Sequence, residues 1–309
     1  MPNLNIKEIK TKNLRWIDVS SCKPKEMKHI EQKFKFHPLH ISDCLSPVQR
    51  PKLDVTPDYL FMVLLFPVYN RRTRKIISSE IDFFINSDTL VTVHRGELSP
   101  LMNFFNLCQT TKEQKDKYFI GSPAFLIYEL LNRLLAACNP ILGNMNLNIN
   151  GIEENIFNGY EKRMVKEILI AKTNVVNFRR ITQTHRLVVS KLLEKSSLFF
   201  SPGKLKIYFK EVIENAEDIW QNLENLRETV EAIEQTNNSL ISFQLNDIIK
   251  ILTIISIIVL PISLMGTIFG MNLKFIPLMN QPFAFWILLS IMTLIIILLV
   301  GYFRRKKWF

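Results

Sequence analysis

The stretch "ILTIISIIVLPISLMGTIFGMN", residues 251 to 272, carries no charge over the nineteen positions Ile251 to Phe269 and then turns to Gly270-Met271-Asn272. An α-helix needs about 20 such residues to cross the hydrocarbon core of a bilayer. A second uncharged run of twenty-one, Phe283 to Phe303, follows it, and between 251 and 303 the sole charge is Lys274. Helices buried in a soluble core seldom run this long without a polar face. The pair therefore predicts two membrane spans, and it raises the question of why an asparagine should stand at the end of the first.

The remainder of the chain is unlike this tail. Of 309 residues 22% are charged, yet mean hydropathy is slightly positive at +0.11, and residues 1 to 250 hold nearly all of the Lys, Glu and Asp. The beginning, "MPNLNIKEIKTK", has no apolar leader segment. Lys250 precedes the first span and Arg304, Arg305, Lys306 and Lys307 follow the second, whereas the connecting segment 270–282 carries only Lys274. Basic residues stay on the cytoplasmic side, so both termini are expected inside a multi-pass cell (inner) membrane protein, with membrane lipid as its surroundings.

Several function classes are excluded. A net charge of +11 suggests nucleic acid, but no zinc-finger, RNP or helix-turn-helix pattern accompanies it. Cys22, Cys44, Cys108 and Cys138 form no CxxC pair and read as core thiols of a reducing compartment. No phosphate loop, G-x-S-x-G or HExxH motif occurs, which argues against an enzyme and against an ATP-driven pump.

The expected fold is an α+β cytoplasmic domain, a mixed sheet with helices, over residues 1–204. A stalk helix over 205–250 then runs without a break into a first span at 251–269. The external loop 270–282, a second span at 283–303 and a basic tail at 304–309 complete the chain. "LRWIDVS", "YLFMVLLFPVY", "EIDFFIN" and "TLVTVHR" read as strands, and "KPKEMKHIEQKF" and "HPLHISDCL" as helices. From Pro123 the pattern turns helical, including the basic segment from Tyr160 to about Leu198, until Pro202 and Gly203 break it. His37 and His40 lie three apart without a third ligand nearby and read as surface or hinge residues rather than a metal pair.

On the stalk, Ile219, Leu223, Leu226, Val230, Ile233, Asn237 and Leu240 alternate in steps of four and three. Two readings stand: the seam of a coiled coil, with Asn237 setting register or oligomer state, or packing against the chain's own helices. Further along, Asn246, Ser256, Ser263 and Thr267 interleave with Ile249, Leu252 and Leu260 at helical spacing. Such a stripe is wasted on lipid and useful around a shared water-filled axis. Two spans cannot enclose a pore, so transport requires an oligomer.

At this point the chain resembles the CorA family of magnesium channels. The resemblance rests on Gly270-Met271-Asn272 closing the first of two C-terminal spans, with "HPLHISDCL", "QRPKLD", "YFKEV" and "RRKKWF" in support along nearly the whole chain. It implies a homopentameric funnel that takes up magnesium, with cobalt and nickel as further substrates, driven by membrane potential and closed by intracellular divalent cation. It also implies that Gly270, Met271 and Asn272 form the selectivity filter and that Asn246, Ile249, Leu252, Ser256, Leu260 and Ser263 line the pore. Glu211 of "YFKEV" matches a regulatory metal position. Its partner is not obvious, since Tyr69 is followed by Asn70, Arg71 and Arg72; Glu80 and Asp82 are the nearby candidates. Magnesium is thus both substrate and regulatory ligand. Where the family commonly has acidic residues after the motif, this chain has Lys274. The alternatives are a zinc or other transition-metal transporter of the same fold and a membrane-anchored oligomeric scaffold.

Overall fold

Six strands form one sheet in the order β1-β2-β6-β5-β4-β3: β1 (Ile6–Lys10), β2 (Arg15–Val19), β3 (Lys52–Val55), β4 (Leu60–Asn70), β5 (Lys75–Ile85) and β6 (Thr89–His94). Only the β2–β6 pair is parallel; the others are antiparallel. This computed structural model describes residues 4–46, 49–120, 122–195, 205–271 and 283–306. It divides into two compact units, Met1–Glu234 and Gln235–Phe309.

In the first unit the sheet is covered on both faces, which is why its central strands are continuous apolar runs rather than alternating ones. Helices α1 (Pro24–Phe34) and α2 (Pro38–Leu45) pack on one face, where Met27, Ile30 and Ile41 meet Phe61, Val63 and Phe84. On the other face Trp16 lies 5.5 Å from Phe104 and 4.8 Å from Phe105 of α3 (Ser99–Thr110). Then follow α4 (Lys112–Tyr118), α5 (Pro123–Ala136), α6 (Cys138–Phe157), α7 (Glu161–Thr182) and α8 (His185–Lys195). Asn174 of α7 joins this layer to the sheet: its Oδ1 accepts from Ile76 N at 2.9 Å and its Nδ2 donates to Arg74 O at 2.9 Å.

Helix α9 (Leu205–Gly270) is continuous, with Pro261 inside it. The seam expected from Ile219 extends back to Phe209 in the same steps of three and four, and from Phe209 to Ile233 it is buried by the chain itself. Own-chain packing is therefore the structural answer for that part of the seam. On α9, Asn215 pairs with Asn132 of α5 at 3.1 Å, and Glu217 and Glu224 pair with Arg186 of α8 and Arg179 of α7 at 3.0 and 2.6 Å.

The second unit holds the remainder of α9 and helix α10 (Ala284–Arg305). Asn237 is buried, and its Oδ1 has no hydrogen-bond partner among the described residues. From Ser242 to Ile249 every side chain is exposed, Phe243, Leu245 and Ile248 included. A helix apolar on several sides needs cover from lipid or from other chains. Among the described residues three segments could cross a membrane by length and composition: Pro123–Phe157, Lys206–Gly270 and Phe285–Arg305. Half of the most apolar window of the first is buried in its own domain, against 6% for the second and none for the third. The first is thus a core segment, and the other two contain the candidate spans.

The sequence reading missed β1, β3, α3 and α4, and it ran α7 and α8 together. Both missed strands are the sheet edges. "IKEIK" and "KLDV" keep charged side chains where an edge meets water, which blunts edge-to-edge pairing and hides the strand signal.

Candidate ion pathway and regulatory carboxylate

Helix α9 places all the residues expected to line a pore on one side. At about 100° per residue, Ile249, Leu252, Ser256, Leu260, Ser263, Thr267 and Gly270 fall within an arc of about 80°, with Asn246 about 40° outside it. Each of these residues is exposed in the chain. Ile254, which is buried, lies about 160° from the centre of that arc. Much of the rest of this part of the helix is exposed too, Ile251, Ile255, Val259 and Leu264 among it, so the stripe is marked by its polar side chains and not by exposure. Among its hydroxyls, Ser256 donates to Leu252 O at 2.9 Å and Thr267 to Ser263 O at 2.7 Å. Each hydrogen is satisfied within the helix, and lone pairs remain on the outside.

Gly270 is the last residue of α9, and Met271 N closes the final turn on Ile268 O at 3.3 Å. Among the described residues a Cβ on Gly270 would meet no atom within 4 Å. Met271 is exposed. Asn272 and Lys274 lie outside the described residues, as does Lys307.

Glu211 is an exposed residue on the first part of α9, and its Oε2 accepts a hydrogen bond from the Tyr128 hydroxyl of α5 at 3.0 Å. Tyr128 itself is buried, its ring 4.9 Å from Tyr208 and 5.8 Å from Phe125. Burial, with the carboxylate beside it, pushes the phenol up to about 12, so it stays a donor at neutral pH.

Glu80 and Asp82 are placed differently. Both project from β5 to the α1–α2 face and both are buried. Glu80 accepts from Gln49 N, and burial raises its pKa. Asp82 is held up to about 8 by burial first and by the charge of Glu80 second, and its Oδ1 is unpaired. Cys22, Cys44, Asp43 and Arg95 complete the titratable and charged surroundings. A carboxyl neutral at pH 7 inside a domain is poorly suited to gather a surface cation. Among the described residues no group of three or more His, Cys, Asp or Glu could hold a metal.

His40 belongs to a closed network. Tyr59 OH accepts from His37 N at 2.8 Å and meets His40 Nδ1 at 2.8 Å, while His40 Nε2 lies 3.5 Å from Asp54. His37 is exposed, as expected, but His40 is a buried residue of this network and not a surface one.

The family described as "CorA-like Mg2+ transporter protein" matches residues 11–305. The chain belongs to that family. It is 26% identical over 315 residues to the cobalt/magnesium transport protein CorA of Methanocaldococcus jannaschii, covering 99% of this chain and 95% of the relative. The CorA homologue of Thermotoga maritima is 24% identical over 95% of this chain and 83% of its own length. The complete structure of the Methanocaldococcus jannaschii CorA magnesium transporter superposes with a TM-score of 0.83 at 24% identity, covering 98% and 94% of the two chains. The cytoplasmic domain of ZntB from Vibrio parahaemolyticus shares the fold at a TM-score of 0.61 and 11% identity, over 75% of this chain and 89% of that one. As a member of the CorA family the chain is a membrane transporter of the magnesium and divalent-cation type, and not an enzyme.

Proposed function

We propose that the chain forms a homopentameric magnesium channel in the cell (inner) membrane, both termini cytoplasmic, with the exposed arc of α9 facing a common axis. The observation that carries this reading is that arc: hydroxyl, amide and apolar side chains aligned on one side of α9, whose sequence continues into Gly270-Met271-Asn272. Asn272 forms the outer ring. Magnesium sheds its water reluctantly, and neutral amide carbonyls accept hydrogen bonds from its bound waters without stripping them. Ile249 and Leu252 supply an apolar constriction that closes by dewetting. The boundaries of stalk, spans and loop follow the sequence: 205–250, 251–269, 270–282 and 283–303.

A divalent ion falling through 100 mV gains about 4.6 kcal/mol, twice the value for unit charge, so uptake needs no ATP. Cobalt is a further substrate, in keeping with the name of the Methanocaldococcus relative, and nickel a third. Intracellular magnesium closes the channel by binding Glu211 together with a neighbouring subunit. Glu211 rather than Glu80 or Asp82 serves this role because it alone of the three is exposed.

Uptake by liposomes holding purified protein tests the reading, compared across magnesium, cobalt, nickel and zinc and repeated with Asn272→Ala. Magnesium flux is expected from wild type and its collapse in the assembled variant. Undiminished magnesium flux through Asn272→Ala would remove the filter, and zinc preferred over magnesium would favour the transition-metal alternative. No ion flux at all from correctly inserted wild type would favour the scaffold.

A further inference from the structure

Glu211 is paired within its own chain by a residue 83 positions away. The same offset recurs along α5 and α9. Phe125 meets Tyr208 at 5.8 Å between ring centroids, Tyr128 meets Glu211, and Asn132 meets Asn215 at 3.1 Å. The two helices thus run in register over these three rungs, with contacts above and below the Tyr128 hydroxyl. Leu126, Ile127, Leu130 and Leu131 anchor α5 in the domain core. The phenol is a fixed donor and the exposed carboxylate is the movable member of the pair.

We propose that Tyr128 is a positioning residue that holds Glu211 in the divalent-free state, so that a regulatory cation gains the full carboxylate, Oε2 included, only by displacing its hydroxyl. Tyr128 thereby sets the cytoplasmic magnesium concentration at which the channel closes. The inference rests on the reading of Glu211 as a regulatory ligand. A hydrogen bond to a charged acceptor occupies one of the lone pairs that a cation needs, and hard divalent ions bind through such oxygens. With the bond present, part of the cation's binding free energy is spent in breaking it. Without it, the carboxylate is solvated by water alone and free to turn toward a neighbouring chain. Loss of one charge-assisted bond corresponds to roughly tenfold in apparent affinity.

The test is the inhibition of current by cytoplasmic magnesium in wild type, Tyr128→Phe, Glu211→Gln and the double variant. Tyr128→Phe keeps the ring and removes the donor. It is expected to shift the half-inhibiting concentration down roughly tenfold, whereas Glu211→Gln shifts it up, and the double variant follows Glu211→Gln. Should Tyr128→Phe disturb the aromatic packing, Glu211→Asp serves instead: one methylene shorter, it keeps the carboxylate but draws it away from the hydroxyl, and the same downward shift is expected. Curves for Tyr128→Phe or its substitute that superimpose on wild type, while Glu211→Gln is displaced, overturn the role of Tyr128 and leave that of Glu211. An undisplaced Glu211→Gln curve overturns both. A shift from Tyr128→Phe that persists in the Glu211→Gln background also overturns the proposal, because the hydroxyl would then act elsewhere.

Discussion

Arg179 reaches Glu224 at 2.6 Å while its guanidinium lies 5.0 Å from the centre of the Trp220 ring. One side chain on α7 thus grips two residues a turn apart on α9, by charge and by the face of an aromatic ring. Arginine suits this double task and lysine does not, since a planar guanidinium can stack and pair at once. Arg179→Ala is expected to destabilise the protein by about 1–2 kcal/mol, read as a lower thermal midpoint in detergent. Arg179→Lys should recover less than half of the loss. Full recovery by lysine would show that only charge matters at this contact.

Asp82 gives the protein a pH dependence of predictable sign. Its folded pKa of about 8 lies above the usual carboxylate range. The folded state therefore keeps a proton that the unfolded chain releases above about pH 4. Stability is full below that pH, falls as pH rises, and levels off beyond about 8. Asp82→Asn should raise the unfolding midpoint, and by more at pH 8 than at pH 5, with about 1.4 kcal/mol per pH unit as the ceiling. His185 acts in the opposite sense: burial lowers it to about 4, so its contribution is lost as pH falls below about 6.5. Comparing variant with wild type at each pH removes that term. An equal gain at both pH values would mean Asp82 is ionised throughout.

The unpaired Oδ1 of Asn237 bears on assembly. A buried acceptor without a donor costs about 1–3 kcal/mol, so Asn237→Leu should stabilise the protein by an amount in that range. Polar residues on helical seams set register and copy number. The variant should therefore lose uniformity in its oligomer distribution, measured by native mass spectrometry, even as it melts higher. A lower midpoint would show that the amide is satisfied in the assembled protein.

Lys274, two residues past Asn272, places positive charge at the mouth of the proposed pore. A divalent ion feels twice the repulsion of a monovalent one, and exposed charges act chiefly on encounter rate. Lys274→Glu is expected to raise magnesium influx at low external concentration. The gain should fade as salt rises, since the Debye length shrinks from about 30 Å at 0.01 M to about 10 Å at 0.1 M. Equal influx at 0.01 M salt would place the lysine away from the ion's path.

The two long uncharged runs were legible because a helix that crosses the hydrocarbon core needs about 20 apolar residues. The central strands were legible for a similar reason, being buried on both faces. That same burial concealed Asp82. In "EIDFF" the acidic residues share the face of Phe84, and in a half-exposed sheet that alternation would mean solvent, whereas here both faces are covered. The three-four seam on α9 was visible, but the identity of its partner was not, since own-chain and between-chain packing require the same spacing. Tyr128 gave no local signal at all. Its importance comes from a helix register joining positions 83 residues apart, which no window of sequence contains.

In the proposed pore, the hydrogen bonds inside α9 bear on the sign of the ion as well as its size. Because Ser256 and Thr267 have already given their hydrogens to carbonyls of the preceding turn, their oxygens can only receive. A hydrated cation presents outward-pointing water hydrogens and is welcomed by such a wall. An anion needs donors and finds none at these positions. Discrimination against chloride can therefore arise at these two hydroxyl positions without a carboxylate there.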